Sequence, residues 1–196
     1  SAPAQEEVRQ RYAQGRPFFL YVGAIHPRKN LPRLLRAFEL FLDQHREAPV
    51  RLLLTGRVAW GEAEFRKAMA EFRYPESVVH LDYVASEELP SLIASARALV
   101  YPSLFEGFGM PVLEAMQSGT PVLTSTVASL PEVAGDAALL VDPTDVGAMA
   151  HALERLWYEP GLCEQLRDRG LARAATFSWD LSAQQLWREI ELGLQA

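Results

Sequence analysis

The stretch "YPSLFEGFGMPVLEAMQSGTPVLTS", residues 101–125, decides how the chain is read. An apolar run ends at Tyr101 and breaks into a turn holding Gly107 and Gly109. Helical spacing begins at Pro111 and stops at Gly119, just before a second apolar run over residues 122–125. Proline suits the first helical position and glycine the residue past a helix end, so the segment reads as strand, turn, short helix, strand. Two carboxylates flank the turn, Glu106 within it and Glu114 in the helix. The glycines leave backbone amides open to close approach, and the helix start adds unpaired N–H groups that favour an anion.

The same alternation runs outward in both directions. Short runs rich in Val, Leu and aromatics occur at residues 18–22, 51–55, 78–82, 99–102, 122–125 and 139–142. Continuous apolar strands are expected where both faces of a parallel sheet are covered. Between the first two, Leu31, Leu34, Leu35, Phe38, Phe41 and Leu42 recur at helical spacing behind Asn30, which reads as a side-chain cap. Further helical segments fall at 62–72, 88–96, 111–118, 146–157, 163–176 and 179–194, the last behind Ser178 as its cap. The predicted fold is α/β: a doubly wound, six-stranded, parallel Rossmann-like sheet. Residues 1–17 read as a polar linker and 18–196 as one ligand-binding domain with no internal boundary. In such sheets ligands lie outside the carboxyl ends of the strands. The turns to examine are therefore 23–30, 56–61, 83–87, 103–110 and 126–131.

Composition narrows the function. The 196 residues include 49% hydrophobic and 22% charged side chains, ordinary for a globular domain with a filled core. A formal charge of −6 offers no overall basic excess for nucleic acid. Cys163 is the only cysteine, which excludes an internal disulfide and a cysteine-based zinc site and suits a small apolar filler. No apolar run reaches the roughly 20 residues that span a bilayer. His26 lies on a ligand-facing turn, where it either touches phosphate or has no role; His45, His80 and His151 lack metal-ligand spacing and read as structural or exposed.

The first turn, GAIHPRKN, has one glycine, Gly23, for a sharp reversal and two cations, Arg28 and Lys29, near the start of the next helix. It is not a dinucleotide fingerprint, because G-x-G-x-x-G is absent. Taken alone, the pair fits an ion-paired surface as well as a phosphate site. Glu114 alone fits a favourable charge in a first helical turn, and Glu106 an ordinary loop acid. Together they favour a ligand. Two acids would repel a bare phosphate, whereas carboxylates accept strong charge-assisted hydrogen bonds from diols. A nucleotide-sugar meets both demands, with its sugar near Glu106, its diphosphate over the glycines and basic pair, and its ribose near Glu114.

"EGFGMPVLE" followed by "AMQSGTPVLTS" resembles the E-x7-E signature region of retaining glycosyltransferases of family 4, which adopt the GT-B fold of two Rossmann-like domains. "YVGAIHPRKNL", "HLDYVASEELPSLIASARALVYPS", "LPEVAG", "ALLVDPTD" and the closing "FSW" match that family's pattern in order, so the resemblance covers about residues 18–195. It implies that this chain is the C-terminal, donor-binding half of a GT-B hexosyltransferase, with the acceptor-binding N-terminal domain absent and the isolated half inactive. It further implies that Lys29 contacts the donor diphosphate, Glu114 the ribose hydroxyls and Glu106 the transferring sugar. Phe108, Gly109 and Met110 would offer backbone amides, with Gly107 leaving room, and the base would lie by Tyr83 and Val84. Many members carry arginine after the glycine of the first turn, where Ala24 stands here; Arg28 is expected to supply that charge. On this reading Arg28, Lys29 and Glu106 are the catalytic residues, Glu106 neither a base nor a nucleophile, and no metal or separate cofactor is required.

The PRKN-type turn resembles that of bacterial polysaccharide mannosyltransferases and so implies a GDP-mannose donor, with UDP-sugars open. The family further implies a carbohydrate or lipid-linked acceptor, a cytoplasmic protein peripheral to the inner membrane face, and a last helix that crosses back onto the other domain, leaving Trp179, Leu186, Trp187 and Ile190 partly exposed. Three alternatives stay open: a sugar phosphorylase, a nucleotide-sugar epimerase, or a non-catalytic nucleotide-binding or docking module whose acids and cations merely pair with one another.

Overall fold

The computed structural model describes residues 2–194. Its sheet has six parallel strands, β1 (Phe18–Val22), β2 (Arg51–Thr55), β3 (Val78–His80), β4 (Ala98–Tyr101), β5 (Val122–Ser125) and β6 (Leu139–Val141), in the order β3-β2-β1-β4-β5-β6. The order reverses direction between β1 and β4, which is where a doubly wound sheet opens a crevice at its carboxyl edge. β1, β2, β4 and β5 are buried along their whole length, as strands covered on both faces must be.

The helices are α1 (Ala2–Ala13), α2 (Leu31–Gln44), α3 (Glu62–Glu71), α4 (Leu89–Ser95), α5 (Met110–Gln117), α6 (Leu130–Ala134), α7 (Val146–Tyr158), α8 (Pro160–Ala174) and α9 (Trp179–Leu194). α2 buries Leu31, Leu34, Leu35, Phe38, Phe41 and Leu42, the residues its 3.6-residue period places on one face. Phe38 and Phe41 meet Phe19 of β1 edge-on, with centroids 6.4 and 6.2 Å apart. α5 buries Val112, Leu113, Ala115 and Met116 and is framed by Gly109 and Gly119, both at positive φ.

Three expectations are corrected. Residues 2–13, read as linker, form a helix that lies on α4: Gln5 donates to the Ala94 carbonyl at 2.7 Å, and Arg11 and Tyr12 both reach Glu88 at 2.5 Å. Four of its twelve residues are charged, and its weak amphipathic pattern hid it. Asn30 precedes α2 but makes no side-chain cap; its amide instead donates to the Pro102 and Pro143 carbonyls at 3.0 and 2.7 Å. β3 ends at His80 rather than Asp82, because Asp82 adopts a positive φ of 54°. Ser178 does cap α9, accepting from the Leu181 N–H at 3.0 Å. α9 buries none of its side chains.

Candidate donor site

The carboxyl edge is assembled by hydrogen bonds between turns far apart in sequence. After β1 the chain reverses at Gly23, and its next residues zip onto the turn after β2: Gly23 N–H to Thr55 O and Ile25 N–H to Arg57 O, both 2.9 Å. Gly56, at φ 139°, lets the two backbones touch, since a Cβ there would stand 2.0 Å from the Gly23 carbonyl oxygen. A short 3-10 turn at Pro27–Lys29 follows, capped by His26 Nδ1, which accepts from the Arg28 N–H at 3.3 Å. His26 thus has a structural role, and its ring also stacks on the exposed Trp60.

The turn after β4 is pinned to the first one. The Leu104 N–H donates to the Arg28 carbonyl at 2.7 Å, and Asn30 grips Pro102 from the other side. From β5 and the turn that follows it, Ser125 Oγ donates to the Ser103 carbonyl at 2.5 Å, while Ser129 Oγ lies 3.0 Å from both the Glu106 and Phe108 carbonyls. The glycine-rich turn is therefore held on two sides, and its position does not rest on local conformation alone. Gly109 has φ 101°, where only glycine sits without strain, and a Cβ on it would press 2.6 Å from Leu130 Cδ2.

These constraints converge on a cluster of charges. Lys29 Nζ lies 2.6 Å from Glu106 Oε1, and Arg28 Nη1 lies 2.8 Å from Glu106 Oε2. Arg28 also donates to the Phe105 carbonyl at 3.1 Å. The Tyr101 hydroxyl bonds Lys29 Nζ and lies 3.1 Å from Glu106 Oε1. Lys29 and Glu106 are buried, 6% and 7% exposed, whereas Arg28 is half open to solvent. Burial alone would push the Glu106 carboxyl up, but the polar groups around it, Lys29 foremost and then the Ser103 hydroxyl and Arg28, outweigh it and hold the group below the usual carboxylate range. Burial wins at Lys29, whose ammonium is depressed despite the carboxylate beside it.

The structure thus brings Arg28, Lys29 and Glu106 into direct contact and puts the other expected residues on the same edge without joining them to that cluster. Glu114 lies one turn beyond Met110 on α5, half-buried, and its carboxylate makes no hydrogen bond or ion pair with the described residues. Met110 and Phe108 are partly exposed, Phe108 set edge-on against Phe177 at 5.7 Å. Gly107 has open space where a Cβ would stand. Tyr83 is exposed with the Arg57 guanidinium 5.1 Å over its ring, and Val84 is buried. Sequence reasoning missed Tyr101, Asn30, Gly56, Ser103 and Ser129. Tyr101 and Ser103 stand in the opening stretch itself, but strand residues and loop serines carry no local sign of what they face.

The edge is open rather than enclosed. A cleft of about 440 Å³ does exist, but it lies at the amino-terminal ends of β1, β4 and β5 between Gln5, Pro17, Arg97, Pro121 and Cys163. Its Arg97 is spent on the Leu156 and Trp157 carbonyls. Among the described residues no group of three or more His, Cys, Asp or Glu side chains is disposed to hold a metal ion, and no helix is long and apolar enough to cross a membrane.

Residues 4–173 match the family model described as "Glycosyl transferases group 1". The chain is 43% identical over 164 residues to the O-antigen chain mannosyltransferase B of Escherichia coli, an alignment covering 83% of this chain and 42% of that protein. It is 42% identical over 123 residues to the MMP alpha-(1->4)-mannosyltransferase of Mycolicibacterium hassiacum, covering 61% and 30% respectively. Among solved structures, sucrose-phosphate synthase from Thermosynechococcus elongatus superposes with a TM-score of 0.78 at 28% identity, covering 95% of this chain and 49% of that one. Anabaena HepE, in complex with UDP and glucose, superposes with a TM-score of 0.86 at 19% identity, covering 97% and 53%. The chain therefore spans about half the length of these solved chains, and less of the two curated relatives. The strand order, the cation and carboxylate cluster at the crevice, and the match over most of its length together make this chain a member of the group 1 glycosyl transferases.

Proposed function

We propose that the chain forms the donor-binding half of a retaining hexosyltransferase that moves mannose from a nucleoside diphosphate, GDP in the first instance, to an acceptor hydroxyl during polysaccharide synthesis. The observation that carries this reading is the meeting of Arg28, Lys29 and Glu106 beside the glycine-framed start of α5, with Glu114 unpaired on that helix. The mannosyltransferase relatives support the sugar, and the solved neighbour in complex with UDP and glucose is in keeping with a nucleotide-sugar ligand.

Departure of the diphosphate puts negative charge on the leaving group and positive charge on the sugar, so preorganised charge is the effective catalyst. Arg28 and Lys29 would stabilise the leaving diphosphate, with amides of residues 108–110 and the α5 start adding dipoles. Glu106 would turn a carboxylate oxygen to the sugar hydroxyls, and Glu114 would bind the ribose. No metal or separate cofactor enters this scheme. The acceptor, carbohydrate or lipid-linked, would be held largely by a second domain, so this half alone binds donor and transfers little. In the full-length protein a peripheral place at the inner membrane face follows from such an acceptor.

One observation favours a second reading, the non-catalytic docking module: Glu106 already pairs with both cations. Calorimetric titration with GDP, UDP and ADP, then with the corresponding sugars, separates the two. Saturable binding of a nucleoside diphosphate, tighter with its sugar attached, supports the donor site; no heat and no thermal shift with any nucleotide overturns it.

A further inference from the structure

The role given to Glu106 raises a problem for Lys29. A carboxylate that turns toward a sugar hydroxyl leaves a buried ammonium on a flexible four-carbon stem, and such a group either wanders or loses its proton. The neighbour that could prevent this is Tyr101, at the last position of β4. Its hydroxyl bonds Lys29 Nζ and lies 3.1 Å from Glu106 Oε1, while the ammonium sits 4.7 Å from the centre of its ring. Tyr101 is 1% exposed, and its ring stacks on Tyr21 of β1 at 5.9 Å with an interplanar angle of 18°. Tyr21 in turn donates to the Ala24 carbonyl at 3.2 Å. The backbone behind Tyr101 is fixed as well, its carbonyl accepting from Thr124 Oγ1 at 2.9 Å.

We propose that Tyr101 is a positioning residue of the donor site: its hydroxyl, held rigid by the stack on Tyr21, accepts a hydrogen bond from Lys29 and keeps the ammonium charged and aimed when Glu106 swings to the sugar. The inference rests on the donor-site reading above. An ammonium has three protons to place and a phenol oxygen can both accept and donate. In the resting cluster the phenol proton serves Glu106 and its lone pair serves Lys29. When Glu106 leaves, the Lys29 bond to the phenol remains, and the other two ammonium protons are free for diphosphate oxygens. No covalent step is involved.

The groups that face Lys29 are Glu106 and Tyr101 from the β4 end and the turn after it, Arg28 from its own turn, and Tyr21 from β1. Arg28 is raised by Glu106, and burial raises both phenols, so none of the three changes charge near neutral pH; Glu106, held low, stays ionised there. Lys29 is the group left to titrate as pH rises, and burial has already lowered it. Removing an oxygen that accepts from the cation lowers it further, so binding that needs the cation fails at a lower pH.

The test is Tyr101→Phe, which keeps the ring stack and removes one oxygen. GDP and UDP titrations from pH 6 to 10 should show affinity about tenfold weaker near neutrality, the expected cost of one hydrogen bond to a charged group. The pH at which affinity declines should fall by about one unit, the equivalent of that factor. A merely structural role would shift the unfolding temperature and leave the pH midpoint where it was. In a Lys29→Arg background the decline should disappear with either residue at 101, because a guanidinium does not deprotonate. Wild-type protein that binds no nucleoside diphosphate overturns the donor-site reading itself. Wild-type binding matched by Tyr101→Phe in both affinity and pH midpoint overturns the positioning role alone.

Discussion

Glu106 pairs with the two cations that a diphosphate would need, so replacing it with the neutral isostere glutamine should tighten binding of a bare nucleoside diphosphate. At rest the cluster carries two positive charges and one negative, the carboxylate lying 2.6 Å from Lys29 and 2.8 Å from Arg28. A phosphate on the same cations would stand roughly 6 Å from that carboxylate, and at an effective dielectric near 20 one pair of like charges repels by about 3 kcal/mol. Arg28 is half exposed, and solvent screening cuts the figure by about half. The remaining 1.4 kcal/mol or so is about tenfold in affinity. Stability should move the other way. Glutamine still accepts a hydrogen bond, so the loss stays below the roughly 3–5 kcal/mol of a broken buried pair, at about 2 kcal/mol. In a chain of this size that lowers the unfolding temperature by about 4–8 °C. Calorimetry with GDP and UDP at pH 7 and a thermal melt of the same samples measure both. Weaker binding of the bare nucleotide by Glu106→Gln would refute the reasoning, because the carboxylate would then be supporting the anion site instead of competing with it.

Other outcomes follow from the same geometry. Lys29→Ala and Glu114→Ala should each weaken nucleotide-sugar binding about tenfold, on the order of 1.4 kcal/mol, and unchanged calorimetric affinity in both defeats the site assignment. Gly56→Ala should cost about 3 kcal/mol or more, because its Cβ would meet a backbone oxygen 2.0 Å away and displace the turn that carries Arg28 and Lys29; a chemical melt within 1 kcal/mol or so of wild type would show that the turn gives way freely. Glu106 is held below its unfolded value, so its contribution is fully present above about pH 4.3 and is lost as pH falls through the folded value. Glu106→Gln should therefore flatten the acid limb of the stability curve, and an acid limb parallel to wild type contradicts the pairing. α9 leaves Trp179, Leu186, Trp187 and Ile190 exposed, so the protein should associate as concentration rises, and Trp179→Ser with Trp187→Ser should abolish this in sedimentation velocity. A wild-type monomer at high concentration speaks against an adhesive face.

The strands were legible because apolar runs covered on both faces have no other soluble use, and α2, α5 and α7 because their buried residues recur at 3.6-residue spacing. α1 was not legible: Glu6, Glu7, Arg9 and Arg11 dilute its apolar face, and its hold on α4 depends on Glu88, far away in the sequence. Asn30 shows the limit of local rules. An asparagine ahead of a helix reads as a cap, yet at φ 63° its amide points away from the helix and joins the loops at Pro102 and Pro143.

What the sequence determined by itself was the alternation of strands and helices, and with it the edge on which the chemistry-bearing turns collect. Glycine and proline punctuation and hydrophobic period are local properties that do not need a partner to act. What only the tertiary structure decided was the pairing at that edge: that Glu106 lies against both Arg28 and Lys29, and that Tyr101 stands between lysine and acid. Those residues are 72 to 78 positions apart, with Tyr101 only five from Glu106. Their contact is set by the adjacency of β1 and β4, a strand order that burial of both sheet faces enforces across the whole domain and that no single segment encodes.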